Sequence, residues 1–223
     1  MIEPSPPGTK ERMLDAAERL FAERGFAATS LRAITAAAQV NLAAVNYHFH
    51  SKEALLAAVF ARRLGPLNRQ RLELLAQARS RAGRRSPPLE EILEAFLAPA
   101  FRLHGDLAPA GPGFPSLMGR IYAEPGEHIR VILREQFGEI AARFTEALKE
   151  ALPKLPPAEL YWRIHFMIGA MAHTLAGSRA LGLVAGGRCD PPDVEGTIRR
   201  LVVFLAAGLR APAARRTRRS RTR

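Results

Sequence analysis

Several things are scarce in this sequence, and each scarcity excludes something. There is one cysteine, Cys189, among 223 residues, so no disulfide can close within the chain. It lies in Gly187-Arg188-Cys189-Asp190-Pro191, which reads as an exposed turn, and a lone cysteine there is ordinarily inert. The N-terminus, Met1-Ile2-Glu3-Pro4-Ser5-Pro6-Pro7, has no basic start followed by an apolar run, so no secretory signal is expected. The longest uncharged apolar stretch lies between Arg163 and Arg179, is too short for a membrane span and contains His165 and His173. The expected compartment is the cytoplasm, with no membrane partner. There is no glycine-rich phosphate loop, no nucleophile elbow and no histidine–carboxylate set at metal spacing. No catalytic residue, no metal and no cofactor is therefore expected. Finally, no run alternates like a strand for long, and no internal repeat is found, so the expected fold is all-α, with about nine helices.

What is abundant is positive charge, and its location matters more than its net value of +12. Residues 1–80 hold 11 basic and 7 acidic side chains, and residues 81–209 hold 15 and 14. From Arg210 onward there are seven arginines and no acid. The body is nearly neutral, the front mildly basic and the end a basic tail. Such a tail attracts any polyanion, or it is a solubilising disordered segment; alone it says nothing of sequence recognition.

Along the chain, Met13, Leu14, Ala17, Leu20 and Phe21 share one face of a helix over 10–24, and Gly25 follows where a helix end favours a left-handed residue. Thr29 and Ser30 offer a cap to a second helix with Leu31, Ile34 and Ala38 inward. Asn41 can cap a third with Leu42, Val45 and Phe49 inward, and Ser51 a long fourth over 52–78. The basic, proline-ended stretch 79–88 is expected as a loop. A helix from Leu89 to about Leu103 comes next, and the glycines and prolines of 105–115 argue against regular structure. Helical runs are expected at about 116–124, 127–151, 158–184 and 193–209.

Three short helices with a tight turn between the second and third make a helix-turn-helix. A reading helix needs an apolar back, a front of small or polar side chains, and flanking donors for phosphate. Asn41-Leu42-Ala43-Ala44-Val45-Asn46-Tyr47-His48-Phe49 meets these demands. Ala43 and Ala44 allow close approach and can touch a thymine methyl, and Asn46 can pair with adenine. Tyr47, His48 and Lys52 are candidate phosphate donors. Thr29 and Ser30 could serve phosphate from the start of the second helix, and Arg32 could reach phosphate or a base. Plainer readings exist: Tyr47 as bundle packing, His48 as a core-edge histidine, Thr29 as a cap, Lys52 as a solvated charge.

Residues 10–60 resemble the tetracycline-repressor (TetR) family of bacterial regulators. The resemblance rests on Ala16-Ala17-Glu18-Arg19-Leu20-Phe21-Ala22-Glu23-Arg24-Gly25-Phe26, Thr29-Ser30-Leu31-Arg32-Ala33-Ile34, Val45-Asn46-Tyr47-His48-Phe49 and Ser51-Lys52-Glu53-Ala54-Leu55. It implies a homodimer on a double-stranded DNA operator, with a third helix that reads bases while Tyr47, His48 and Lys52 hold the backbone. It also implies an effector pocket in the C-terminal helices. Gln39 stands where the family has glycine in the turn, Ala43 where glycine is common and Asn46 where an aromatic is common, which leaves the operator sequence open. The stretch from Asn41 to Phe49 looks like a branch that includes fatty-acid-responsive repressors.

The expected organisation is a DNA-binding domain over 1–55, an effector-binding and dimerisation domain over 56–209, and a basic tail over 210–223. The helix over 158–184 is apolar nearly all round, which suits burial on two sides. With the last helix it could form a four-helix interface between two copies, for which Ala170, His173, Gly177, Leu181, Leu201 and Leu205 are the candidates. Candidate lining for a small lipophilic effector is Phe96, Phe101, Phe114, Met118, Tyr122, Phe137, Phe166 and Met171, with His104 as a polar group. Core packing explains each of these equally well. Three other readings compete: a helical enzyme, a non-specific DNA-packaging protein favoured by the arginine tail, and a protein-only adaptor opposed by Tyr47, His48 and Lys52.

Overall fold

The computed structural model describes residues 8–107, 114, 117, 118, 126–175 and 193–213, the side chains of 104–107 and 128 excepted. Those residues form eight helices and no strand: α1 (Thr9–Ala28), α2 (Leu31–Ala38), α3 (Leu42–His48), α4 (Lys52–Ala82), α5 (Leu89–Leu107), α6 (Glu127–Ala151), α7 (Pro157–Leu175) and α8 (Val194–Arg210). Among them no helix is long and apolar enough to cross a membrane. The chain divides into two compact units, Met1–Glu73 with Pro99–Ala142, and Leu74–Ala98 with Arg143–Arg223.

In the first unit, α1 packs on α2 and α3. Its buried face is the stripe read from the sequence, with Met13, Ala17 and Phe21 fully enclosed. Gly25, at φ 80° and ψ 169°, interrupts the helical path in a region open only to glycine, and Phe26 folds back so that its ring lies 5.6 Å from that of Phe21. Behind this packing, Glu18 of α1 is nearly buried and grips two arginines of α4. It accepts from Arg62 Nη2 at 2.8 Å and from Arg63 Nε at 2.9 Å, and Arg62 also donates to Asp15 at 2.8 Å. Burial pulls the Arg62 pKa down, but the bonds from Glu18 and Asp15 outweigh it, so the guanidinium is held in its charged form more firmly than usual. Asn68 of α4 donates to the Gln136 carbonyl of α6 at 2.8 Å.

The second unit centres on Leu89, Ile92, Leu93 and Leu97 of α5, Phe144 and Leu148 of α6, Leu160 and Met167 of α7, and the inner face of α8. Phe96 and Phe144 meet edge to face at 5.2 Å. Asp193 caps α8 through the Gly196 amide. Arg210, in the last turn of α8, forms a bidentate pair with Glu90. The bond from Arg210 lowers the Glu90 carboxyl pKa below its ordinary value of 4.5. The most buried charge here is Arg163 of α7, whose guanidinium donates to the carbonyls of Gly208, Leu209, Ala211 and Pro212 and to Glu159.

Besides α1, which resumes after the break at Gly25 and runs to Ala28 rather than ending near 24, two boundaries differ from the sequence reading. Helix α4 runs to Ala82 rather than ending near 78, because Arg79 and Arg81 are good helix formers and have acidic partners within their unit, Glu150 and Glu91. Helix α5 continues to Leu107, through Gly105, which costs a helix only about 1 kcal/mol. Phe114, Leu117 and Met118 are also helical. Tyr122, Gly177, Leu181, Cys189 and the His104 side chain lie outside what is described.

The Arg163 network predicts a large effect from one substitution. Arg163→Met leaves the carbonyls at the end of α8 without their donor, and should cost about 2–4 kcal/mol, read as a shift in urea midpoint. A change under about 0.5 kcal/mol would mean that water replaces the guanidinium at little cost.

Candidate nucleic-acid interface

The interface is built on caps. Ser30 Oγ accepts from the Ala33 amide at 3.1 Å, Asn41 Oδ1 from Ala43 at 3.0 Å, and Ser51 Oγ from Ala54 at 3.0 Å, so α2, α3 and α4 each start at a residue suited to it. Between α2 and α3, Gln39 takes the left-handed conformation at φ 54° and ψ 49°. Here the turn keeps the geometry that favours glycine while carrying a side chain. His50, between α3 and α4, is also left-handed, at φ 66°.

Helix α3 is anchored by Val45 and Phe49, which are 0% and 4% exposed. Leu42, expected inward, is 39% exposed. As the first residue of the helix its side chain leans toward the N-terminal end, where no earlier turn of α3 covers it. Ala43, Asn46 and Tyr47 form the outer face, with Tyr47 81% exposed, and Ala44 and His48 are half-buried at its edge. The Tyr47 and His48 rings meet edge to face at 4.9 Å. The packing alternative for Tyr47 is thus excluded by its exposure. Ser30 and Arg32 are exposed at the start of α2, and Arg32 has no carboxylate partner among the described residues. No Asp or Glu occurs between Glu23 and Glu53, so the strip that carries this face holds no repulsive charge for a polyanion.

Two candidate phosphate donors are placed differently from the expectation. Thr29 is 1% exposed, and its hydroxyl donates back to the Leu20 and Gly25 carbonyls of α1 at 3.2 and 2.7 Å. It satisfies carbonyls that the break at Gly25 leaves open, while Ser30 does the capping. Lys52 Nζ donates to the Phe26 carbonyl at 2.9 Å and the Thr29 carbonyl at 3.0 Å, and lies 4.2 Å from the centre of the Phe26 ring. Two of its three donors are spent on holding α4 to the corner between α1 and α2. The spacing in sequence did not reveal this, since the contact closes across 26 residues.

The other candidate residues lie elsewhere. In the first unit Phe101 is buried, Phe114, Met118 and Phe137 are half-buried, and Phe114 meets Phe60 at 5.4 Å. In the second, Phe96 is buried and Met171 half-buried. Phe166, expected as effector lining, is 61% exposed and stacks beside Trp162, whose ring centre is 5.9 Å away. Leu201 and Leu205, expected at a dimer face, point into their own subunit at 9% and 6% exposure. A helix apolar on most sides does not reveal from its sequence which side faces inward. On α8 the exposed apolar residues are Val203 and Phe204, at 68% and 70%. Ala170 is half-buried and His173 exposed on α7.

Two family models match the chain. Residues 13–59 match the model of bacterial regulatory proteins of the tetR family. Residues 94–208, just over half the chain, match the tetracyclin repressor-like C-terminal domain. The chain belongs to the tetR family. This places it among helix-turn-helix DNA-binding transcriptional regulators rather than enzymes. Among curated relatives, the HTH-type transcriptional regulator UidR of Escherichia coli K12 is 39% identical over 51 residues, 23% of this chain and 26% of UidR. The probable regulator YttP of Bacillus subtilis 168 is 40% identical over 48 residues, 22% of this chain and 23% of YttP. These matches span about a quarter of the curated relatives' length. Solved structures show the same fold over nearly the whole chain. FadR of Bacillus subtilis, in complex with stearoyl-CoA, aligns with TM-score 0.63 at 16% identity over 89% of this chain and 98% of that one. The fatty acid degradation regulator FadR of Bacillus halodurans aligns with TM-score 0.61 at 17% identity over 94% and 100%.

The position of Lys52 predicts a stability effect separable from DNA. Lys52→Met should lower unfolding stability by about 1–3 kcal/mol in the absence of any nucleic acid, measured by thermal or urea denaturation. An unchanged stability would show that the two carbonyl bonds contribute nothing and return Lys52 to the solvent.

Proposed function

We propose that this chain is a repressor that binds an inverted-repeat operator as a homodimer and is released by a small lipophilic effector. The observation that carries the DNA part is the outer face of α3. Ala43, Asn46 and Tyr47 are exposed on a helix anchored only by its back, in a stretch without a single carboxylate. In this reading Ala43, Ala44 and Asn46 face base edges, with Asn46 bidentate to adenine. Tyr47, His48, Ser30 and Arg32 hold phosphate, and Asn41 sets the start of the reading helix. Thr29 and Lys52 act through the protein, by fixing the corner on which α2 begins. The DNA-binding domain is taken as residues 1–55, the effector-binding and dimerisation domain as 56–209, and the tail as 210–223.

The dimer is proposed through α7 and α8, which pack on each other. Trp162, Phe166, Gly169 and His173 repeat at helical spacing along the exposed side of α7, and Val203, Phe204 and Ala207 do so on α8. Beside Trp162 a hollow of about 350 Å³ is lined by Ala158, Tyr161 and His165. Large apolar side chains left on a surface in this density mark an interface. A second copy presenting the same stripes would cover them about a two-fold axis.

For the effector, Phe101, Phe114, Met118 and Phe137 of the first unit supply apolar surface suited to a hydrocarbon chain. The likeness of fold to a FadR solved with stearoyl-CoA makes a long-chain acyl compound the first to try, and with it the fatty-acid-responsive branch. Release by such a compound requires it to bind one of two arrangements better; a coupling of about 1–3 kcal/mol gives roughly 5–150-fold.

Selection from a random double-stranded pool should enrich an inverted repeat. Asn46→Ala should then cost about 1–3 kcal/mol and relax one base position per half-site. A folded, ligand-free protein that enriches nothing would overturn the reading. Phe204→Glu should turn a dimer into a monomer in sedimentation at micromolar concentration without loss of helix content, since the residue is 70% exposed. A wild-type chain that sediments as a monomer would sink the dimer.

A further inference from the structure

Where α4 ends, positive charge is crowded and only partly answered. The segment Arg79-Ser80-Arg81-Ala82-Gly83-Arg84-Arg85-Ser86 holds four arginines, and no Asp or Glu occurs between Glu73 and Glu90. Arg81 is paired with Glu91 at 2.8 Å, and Arg79 spends Nη2 on Glu150 at 3.2 Å. Arg84 and Arg85 are exposed and have no carboxylate partner among the described residues. The turn that carries them is held in one shape. Gly83 is left-handed at φ 63°, and its amide donates to the Arg79 and Ser80 carbonyls at 3.1 and 3.3 Å. The Arg85 amide donates to the Ala82 carbonyl at 3.1 Å. Three carbonyls at the end of α4 are thereby satisfied within the turn and weigh less against an approaching anion. Beyond the arginines, Pro87 is buried and anchors the exit of the turn.

The arginines surround a space. Arg79, Arg84 and Arg85, with Gly83, Ser86 and Glu150 of α6, line a hollow of about 430 Å³ that Pro87 closes on one side. Sites for small molecules run from about 300 to 1,000 Å³. The walls are guanidinium, hydroxyl, carboxylate and backbone, so the hollow suits a hydrophilic ligand and not a hydrocarbon chain. Three guanidiniums against one carboxylate leave a surplus of positive charge. A phosphoryl group presents its oxygens in several directions at once, and can accept from guanidiniums that arrive from a helix end and from a turn. A planar carboxylate is matched by a single guanidinium fork. A hollow, rather than a flat basic face, favours a compact ligand over a duplex.

We infer that this hollow binds a small organic phosphate with two adjacent phosphoryl groups. Arg84 and Arg85 grip the phosphoryl oxygens, and Arg79 stands at the wall, held there by Glu150. The site goes beyond the regulator reading and does not depend on it. Every residue of it belongs to the second unit, and its ligand is the chemical opposite of a lipophilic effector. A ligand held between the turn and α6 binds the folded unit alone and stabilises it.

Inorganic pyrophosphate and ADP are the probes, titrated by calorimetry into the full chain at about 150 mM salt, where contacts between distant exposed charges are screened. Both should bind at a single site per chain. Changing Arg84→Gln and Arg85→Gln together should weaken both probes about tenfold or more, since charge-assisted bonds are lost. Changing Arg199→Gln and Arg200→Gln together removes the same charge from two exposed arginines of α8, and should weaken them less than about twofold. All four positions are exposed, so helix content should be unchanged in both variants. Absence of binding to either probe at millimolar concentration overturns the site. An equal loss in the two double variants would assign the binding to net charge and overturn it too. Citrate binding more tightly than pyrophosphate would make the hollow a carboxylate site and remove the phosphate assignment. Duplex DNA binding that falls in the Arg84/Arg85 variant, in a chain that ignores pyrophosphate, would give these arginines to DNA instead.

Discussion

A helix of seven residues cannot hold itself in water, and α3 has seven. Everything this protein offers to a partner at its N-terminal end depends on that constraint. The helix persists because Val45 and Phe49 are buried beneath it, because Asn41 satisfies its first free amide, and because α1 and α2 provide the floor. The floor in turn depends on a corner. Gly25 breaks the path of α1, the Thr29 hydroxyl recovers two carbonyls around the break, and Lys52 reaches back to bind two more. Thr29 and Lys52 thus spend their donors inward, and the side chains left outside on α3, Ala43, Asn46 and Tyr47, are those the fold does not need.

Charge is arranged on the same principle. Acidic residues of α1 stand against Arg62 and Arg63 of α4, where Glu18 is paired and buried while Glu11 and Asp15 pair from the surface. The segment between Glu23 and Glu53 has none. Buried charges that lack a partner are costly, and those with several bonds are costly to remove. Glu18 and Arg163 therefore act as fasteners between helices distant in sequence, while Arg32 remains available to solvent.

Local rules explain how much of this was legible in the sequence. Gly25 and the caps at Ser30, Asn41 and Ser51 act within a few residues, and each was readable from residue type and spacing. The family resemblance rested on the same stretch. The left-handed turn at Gln39 was legible only through that resemblance, because nothing local makes glutamine favour it. The fates of Thr29 and Lys52 were hidden, since Thr29 turns back four and nine residues to Gly25 and Leu20, Lys52 reaches back 26 and 23 to Phe26 and Thr29, and both residue types are common phosphate donors. The two-sided helices were ambiguous for a different reason. On α7 and α8 both faces are apolar, so periodicity finds the stripes but not which one is covered. Phe166, expected to line an effector pocket, is exposed, and Leu201, expected at a face between copies, is covered within its own chain. The arginine in the middle of α7 carried no signal at all, because its four carbonyl partners belong to the backbone.

The outer face of α3 has an evolutionary consequence. Ala43, Asn46 and Tyr47 have little part in packing, so exchanging them leaves Val45, Phe49 and the corner beneath undisturbed. In the proposed DNA-reading role, Ala43 and Asn46 are then the positions at which duplicated copies of such a chain would drift toward new target sequences one side chain at a time, with each intermediate still folded.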